Sequence, residues 1–210
     1  MAEAVTDPDN STGSGAITSQ HGPRERMVRS AMALICVQGV SGTGLREVVA
    51  HAQAPRGSLQ HYFPDGKDQL VREALALAAR RAARSARPTA EGDAGRPSDV
   101  LARMAARWRT WLSESDFALG CPVVATVVDA ASDNLAIREA TGAAFDAWQG
   151  AVRTELVNAG VPTGRAVGLA GVVISALEGA IIMSRARHDL TYLDAVVAEL
   201  APLLDGAAVS

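Results

Sequence analysis

The sequence predicts an all-α protein built as two helical domains, and three observations carry that expectation. Alanine dominates an apolar content of 48% while aromatics reach only 4%, and alanine is the strongest helix former. Apolar residues recur at helical spacing, and β-branched residues seldom alternate with polar ones as a half-buried strand requires. A basic segment gives way to an acidic one across the Pro- and Gly-rich break "RPTAEGDAGRPSD". The 210 residues are enough to bury a core.

Taken in order, residues 1–23, "MAEAVTDPDNSTGSGAITSQHGP", are polar and rich in Gly, Ser, Thr and Asp. They lack the basic start and continuous apolar run of a signal peptide, so a disordered arm on a cytoplasmic chain is expected. "RERMVRSAMALICVQG" sets Met27, Ala31, Leu34 and Ile35 on one helical face, with Gly39 as the stop. "GTGLREVVAHA" offers Thr43 as an N-cap and turns Leu45, Val48 and Val49 inward. After the short link Gln53–Ala54, Pro55 suits the first turn of a third helix, where its missing N–H costs nothing. "FPDGKD" reads as a turn, and a longer helix follows over 68–87.

Beyond the break, "VLARMAARWRTWL" puts Leu101, Met104, Ala105, Trp108, Trp111 and Leu112 on one face. "GCPVVATVVDAAS" is a short apolar helix, and the run from Asn134 to Gly160 a long one. The stretch from Ala166 to Met183 is apolar nearly all round except for Glu178. It falls short of the ~20 residues that span a bilayer, so a buried helix and no membrane association are expected. "YLDAVVAELAPLL" stripes Leu193, Val196, Val197, Leu200, Leu203 and Leu204.

The charge is uneven. Residues 24–87 carry +6, the arm −3 and residues 88–210 −6. A basic module beside an acidic one suggests a polyanionic partner for the first alone, against the plainer reading of solvated helix faces. The short stretch "APRGSLQHYFPDGKDQL" decides between them. It is polar, poor in helix formers, and crowds two of the eight aromatics among Arg56, Ser58, Gln60 and His61. Three short helices with such links make a helix-turn-helix whose third helix enters the DNA major groove. There Gly57 lets backbone approach phosphate. Arg56, Ser58, Gln60, His61 and Tyr62 supply donors for phosphates and base edges, and Leu59 and Phe63 anchor the inner side.

"TGLREVVAHAQAPRGSLQHYFPDGKDQL" resembles the DNA-binding domain of TetR-family transcriptional regulators. "GCPVVATVVDAAS" and "SALEGAIIMSRAR" resemble the LmrA/YxaF-type branch. The resemblance implies a homodimer over a palindromic operator in double-stranded DNA, acting as a repressor released by a small molecule. It implies that Thr43, Lys67 and Tyr62 hold phosphates and that Arg56, Gly57 and Ser58 face the groove. The chain departs from the family pattern at Gln60, where Tyr is common, and at Gln53–Ala54, where Gly-Val is usual. Gln60 can read an adenine edge bidentately, which Tyr cannot.

Other residues keep two readings. His61 has no second ligand at metal spacing, which favours a DNA-facing or packing role and no metal. Tyr62 is either core or a phosphate donor. Met104, Trp108, Trp111, Phe117, Phe145 and Trp148 are core, or line the apolar pocket of a small hydrophobic aromatic effector. Glu178 pairs with an arginine such as Arg185 at a dimer interface that includes Ile174 and Val197, or it orients the ligand. Cys121 is a small buried hydrophobe or a thiolate sensor.

No catalytic constellation or cofactor motif occurs, so neither an enzyme nor a cofactor is expected. The expected organisation is an arm (1–23), a helix-turn-helix domain (24–70), and a ligand-binding and dimerisation domain (71–210) entered through a connecting helix (68–87). The competing expectation is a small-molecule-binding or detoxifying protein with a vestigial DNA domain.

Overall fold

A computed structural model describes residues 21–88 and 95–208. The predicted arm, apart from its last three residues, and the middle of the predicted linker lie outside them. Among the described residues there are nine α-helices and no strand. They are α1 (Pro23–Gly42), α2 (Leu45–His51), α3 (Ser58–Tyr62), α4 (Gly66–Ala86), α5 (Pro97–Glu114), α6 (Pro122–Asp129), α7 (Leu135–Asn158), α8 (Thr163–Arg187) and α9 (Thr191–Asp205).

The helices gather into two compact units that do not follow the chain-order division at residue 70. The first unit runs to Ala78 and also takes Cys121–Ala144; the second is Ala79–Gly120 with the chain from Phe145 onward. By its contacts the α6 segment falls in the first of these units.

In the first unit α1 packs on α2 and α6. Met27, Ala31, Leu34 and Ile35 are all buried, as their spacing requires. The α1 helix breaks at Gly39, whose φ of +73° and ψ of 179° only glycine adopts readily. The break also clears space: a Cβ on Gly39 would lie 2.8 Å from Asp129 Oδ2 on α6. Phe63 is fully buried and anchors α3 from its C-terminal end. The Arg24 guanidinium lies 5.4 Å from its ring centroid and pairs with Glu73 at 2.6 Å.

Two expectations about this unit change. Thr43 is not the N-cap of α2; Gly44 is, and the Thr43 hydroxyl donates back to the Gly39 carbonyl at 2.7 Å. The third helix starts at Ser58, because Arg56 and Gly57 form a turn closed by Ser58 N–H donating to the Pro55 carbonyl. Pro55 precedes the helix instead of occupying its first turn.

In the second unit α5, α8 and α9 pack on one another. The α5–α9 contact is tied near both ends, by the Arg109–Asp194 ion pair and by Ser98 N–H donating to Asp205 Oδ1 at 2.9 Å. At 25 residues α8 is longer than its apolar run suggested, and by length and composition it could cross a membrane. Its inward stripe of Ala166, Ala170, Val173, Leu177 and Ile181 is nonetheless buried against its own chain, as in a core helix.

Candidate nucleic-acid interface and effector core

The link between α2 and α3 is shaped by Gln53, whose φ of +50° lies in the left-handed region. Arg26 on α1 holds that link. Its Nε donates to the Ala52 carbonyl at 2.9 Å and a terminal nitrogen to the Gln53 carbonyl at 3.3 Å, while the other terminal nitrogen reaches the His21 carbonyl at 2.9 Å. The sequence counts Arg26 among the basic residues available to a polyanion; the structure makes it a clamp on the turn. No spacing rule could have found this, because the two carbonyls of the link lie 26 and 27 residues away.

The clamp and the Phe63 anchor leave the tip of α3 facing solvent. Arg56, Gly57, Gln60 and His61 are exposed, and Ser58, Tyr62 and Lys67 are half-buried. The His61 and Tyr62 rings meet edge-on at 4.9 Å. The Ser58 hydroxyl donates to the Pro55 carbonyl at 2.6 Å, so it offers an oxygen acceptor more readily than a proton. Thr43 stands apart from this set: it is 4% exposed with its hydroxyl proton already committed. Lys67 is the second residue of α4, at the end of the helix dipole that favours an anion.

Asp129, the last residue of α6, accepts from the Ser41 N–H at 2.6 Å and from the Ser41 hydroxyl at 2.7 Å. These two bonds, with a smaller contribution from the Lys67 charge, hold its carboxyl below the usual aspartate range. A second tie in the same unit runs from Asn134 Nδ2 to Asp68 Oδ2 at 2.7 Å. Together they seat the α6 segment against the ends of α1 and α4.

In the second unit Met104, Trp108 and Trp148 are buried, and Trp111, Phe117 and Phe145 are half-buried. Trp108 and Trp111 meet edge-to-face at 5.0 Å, and the Arg107 guanidinium covers the Trp111 ring at 4.9 Å. Phe117 lies apart, in the loop after α5. It has a φ of +60° and packs on His188 at 5.0 Å, and its carbonyl accepts from Arg185 Nε at 3.3 Å.

Arg185 is the arginine named above as one possible partner of Glu178. The Arg185 guanidinium serves the carbonyls of Phe117 and Ala118. Ile174 and Glu178, expected at a dimer interface, are both buried in their own chain, at 6% and 7% exposure. Val197 is half-buried. The face that α8 turns outward is a different one. Val172, Ile182 and Met183 are exposed on it, and a Cβ on Gly164, Gly168 or Gly179 would meet nothing within 4 Å.

Comparison with known proteins gives two family matches. Residues 28–74 match the family described as bacterial regulatory proteins, tetR family. Residues 97–199 match the C-terminal domain described as transcriptional regulator LmrA/YxaF-like. An uncharacterized HTH-type transcriptional regulator of Mycobacterium tuberculosis is 39% identical over 188 residues, covering 87% of this chain and 94% of its own. The HTH-type transcriptional regulator LmrA of Bacillus subtilis is 27% identical over 81% of this chain and 90% of its own. Among solved structures, a TetR transcriptional regulator from Legionella pneumophila superposes with a TM-score of 0.76 at 18% identity, over 91% of this chain and all of its own. One from Chloroflexus aurantiacus gives 0.68 at 25% identity, over 89% and 96%.

Proposed function

We propose a function from one premise: the chain belongs to the TetR family of bacterial regulatory proteins, on its LmrA/YxaF-like branch. It is a DNA-binding transcriptional regulator and not an enzyme. Our reading of the finer function is a cytoplasmic repressor that binds a palindromic operator as a homodimer and is released by a small aromatic molecule.

The observation that carries this reading is the contrast across α3 and its two flanks between Phe63, fully buried, and Arg56, Gly57, Gln60 and His61, all exposed. A five-residue helix so anchored presents its polar tip and N-terminal turn as a rigid probe for base edges. Arg56 and Gln60 are the proposed base readers. Lys67 and Tyr62 position the backbone, and Thr43 serves the turn from inside.

The outward face of α8 supports dimer formation. Glycines in open space let two helices approach closely, and exposed Val172, Ile182 and Met183 would bury apolar surface there. Family dimers that bind palindromes set their reading helices about one DNA turn apart, ~34–36 Å. The buried tryptophans of the second unit support an apolar effector site excavated from the core. To release DNA, the effector must bind the released conformation more tightly than the bound one; equal affinity for both would change nothing.

The test is fluorescence anisotropy against the DNA flanking the chain's own gene, with every operator base substituted in turn. Gln60→Ala and Arg56→Ala should each flatten the preference at particular bases, whereas Lys67→Ala should weaken binding to all sequences and lower the salt slope by about one per half-site. Specific binding that keeps its base profile in Gln60→Ala removes Gln60 as a reader. A wild-type chain with no specific site leaves a small-molecule-binding protein with a vestigial head.

A further inference from the structure

The N-terminal arm and the reading head meet at one guanidinium. Arg26 donates to the His21 carbonyl at 2.9 Å, and to the Ala52 and Gln53 carbonyls at 2.9 and 3.3 Å. The guanidinium is a compact planar fork, so these three oxygens lie around a single group. Residues 1–20 therefore join the fold beside the α2–α3 link, close in sequence to Arg56. They carry Glu3, Asp7 and Asp9 and no lysine or arginine.

The charges of the head fall into two sets. Seven cations lie from Arg24 to Arg72, and four of them are engaged. Arg24 pairs with Glu73, Arg29 with Glu25 and Arg72 with Asp65, and Arg26 is the clamp. The side chains of Arg46, Arg56 and Lys67 have no hydrogen bond or ion pair among the described residues. Arg46 and Arg56 are exposed and Lys67 is half-buried. The acids of the same stretch are already taken. Glu25 and Asp65 hold their arginines, Glu47 accepts from Gln38 at 2.8 Å, and Asp68 accepts from Asn134 at 2.7 Å. Asp129 feels the Lys67 charge, but both its oxygens are bound to Ser41. Three cations of the reading head are thus left for anions from elsewhere, and three carboxylates sit on the segment tethered beside them. Reach is ample. From Asp9 to His21 the extended chain spans up to roughly 40 Å, against about 8 Å for the five-residue α3.

We propose that residues 1–20 are an intramolecular competitor of DNA: in the free protein Glu3, Asp7 and Asp9 dock on Arg46, Arg56 and Lys67, and a duplex must displace them. Carboxylate and phosphate oxygens take the same charged donors, so these cations cannot serve both. This rests on the reading of the α3 tip and Lys67 as the DNA-facing surface. Displacement costs the same for every duplex that takes these cations, so the arm lowers affinity for operator and bulk DNA alike. Bulk DNA, held through phosphate contacts alone, is let go first, while the operator keeps its base contacts.

Lys67 is the only lysine in the chain, which makes the docking open to a chemical test. A carbodiimide joins a carboxylate to an amine only where the two already touch. In the DNA-free full-length protein it should link Lys67 to Glu3, Asp7 or Asp9, read by mass spectrometry as a joined pair of tryptic peptides. Excess duplex of random sequence should abolish the link. The full-length variant Glu3→Gln/Asp7→Asn/Asp9→Asn should bind that duplex about tenfold more tightly at about 50 mM salt, the size expected of three exposed ion pairs. The gain should shrink as salt rises. If the variant binds more tightly but wild-type Lys67 links only to Asp129 or to its own turn, the arm acts by repulsion at a distance and the docking is overturned. Equal affinity of wild type and variant overturns the competition. If neither chain binds any duplex, the reading of the head fails and takes the competitor with it.

Discussion

Ser41 and Asp129 are 88 residues apart in the chain, and two hydrogen bonds join them: the Asp129 carboxylate takes both the N–H and the hydroxyl of Ser41, at 2.6 and 2.7 Å. The contact seats the end of α6 on the end of α1. It draws a segment from the later half of the sequence into the unit that carries α3.

Asp129→Ala should therefore loosen the head. Because the carboxyl titrates lower in the folded chain than in the unfolded one, its contribution is complete above the ordinary aspartate value of 3.8 and is lost as the pH falls through the lower folded value. Denaturant unfolding of wild type and Asp129→Ala should show a gap that is constant from neutral pH to about pH 5 and closes in stronger acid. A gap that widens on acidification contradicts the assignment.

Gly39→Ala meets two obstacles, a backbone that only glycine adopts readily and an Asp129 oxygen 2.8 Å from the new Cβ. The expected loss is about 2 kcal/mol or more. In a double-mutant cycle Asp129→Ala should recover the steric part and leave the backbone part, giving a non-zero coupling between positions 39 and 129. Additive effects in urea unfolding would show that the two residues do not touch.

Gln53→Gly should stabilise the chain by roughly 0.5–1 kcal/mol, because Gln53 occupies a left-handed conformation that costs a residue with a Cβ more than it costs glycine. The Arg26 clamp predicts the opposite sign at its own position. Arg26→Ala should cost about 2 kcal/mol by stranding the carbonyls it serves, and Arg26→Lys should recover little, since an ammonium lacks the fork that spans Ala52, Gln53 and His21. Thermal melts of the three variants decide. Full rescue by Lys would mean that charge, and not the fork, is what matters.

On α8, Ile182→Asp should yield monomers in sedimentation while each monomer keeps its fold, because Ile182 is 51% exposed. Ile174→Asp should instead lower the melting temperature sharply, because that side chain is 6% exposed within its own chain. Monomers from a well-folded Ile174→Asp would reverse the assignment of the two faces.

The sequence by itself determined what local rules govern. Periodicity placed the inward side chains of α1 and α5, Gly39 marked a helix stop, and the odd run from Ala54 to Leu70 marked a short reading helix buried at Phe63 and polar at its tip. These follow from spacing and backbone preference within a few turns. The tertiary structure alone decided which polar groups meet. It gave Arg26 to the turn at Gln53, Asp129 to Ser41, and Arg185 to the Phe117 and Ala118 carbonyls. It turned Ile174 inward and Ile182 outward on a helix apolar nearly all round. Each of these is a contact or an absence of contact between residues far apart in the chain, and on an all-apolar helix periodicity cannot say which face another element will cover.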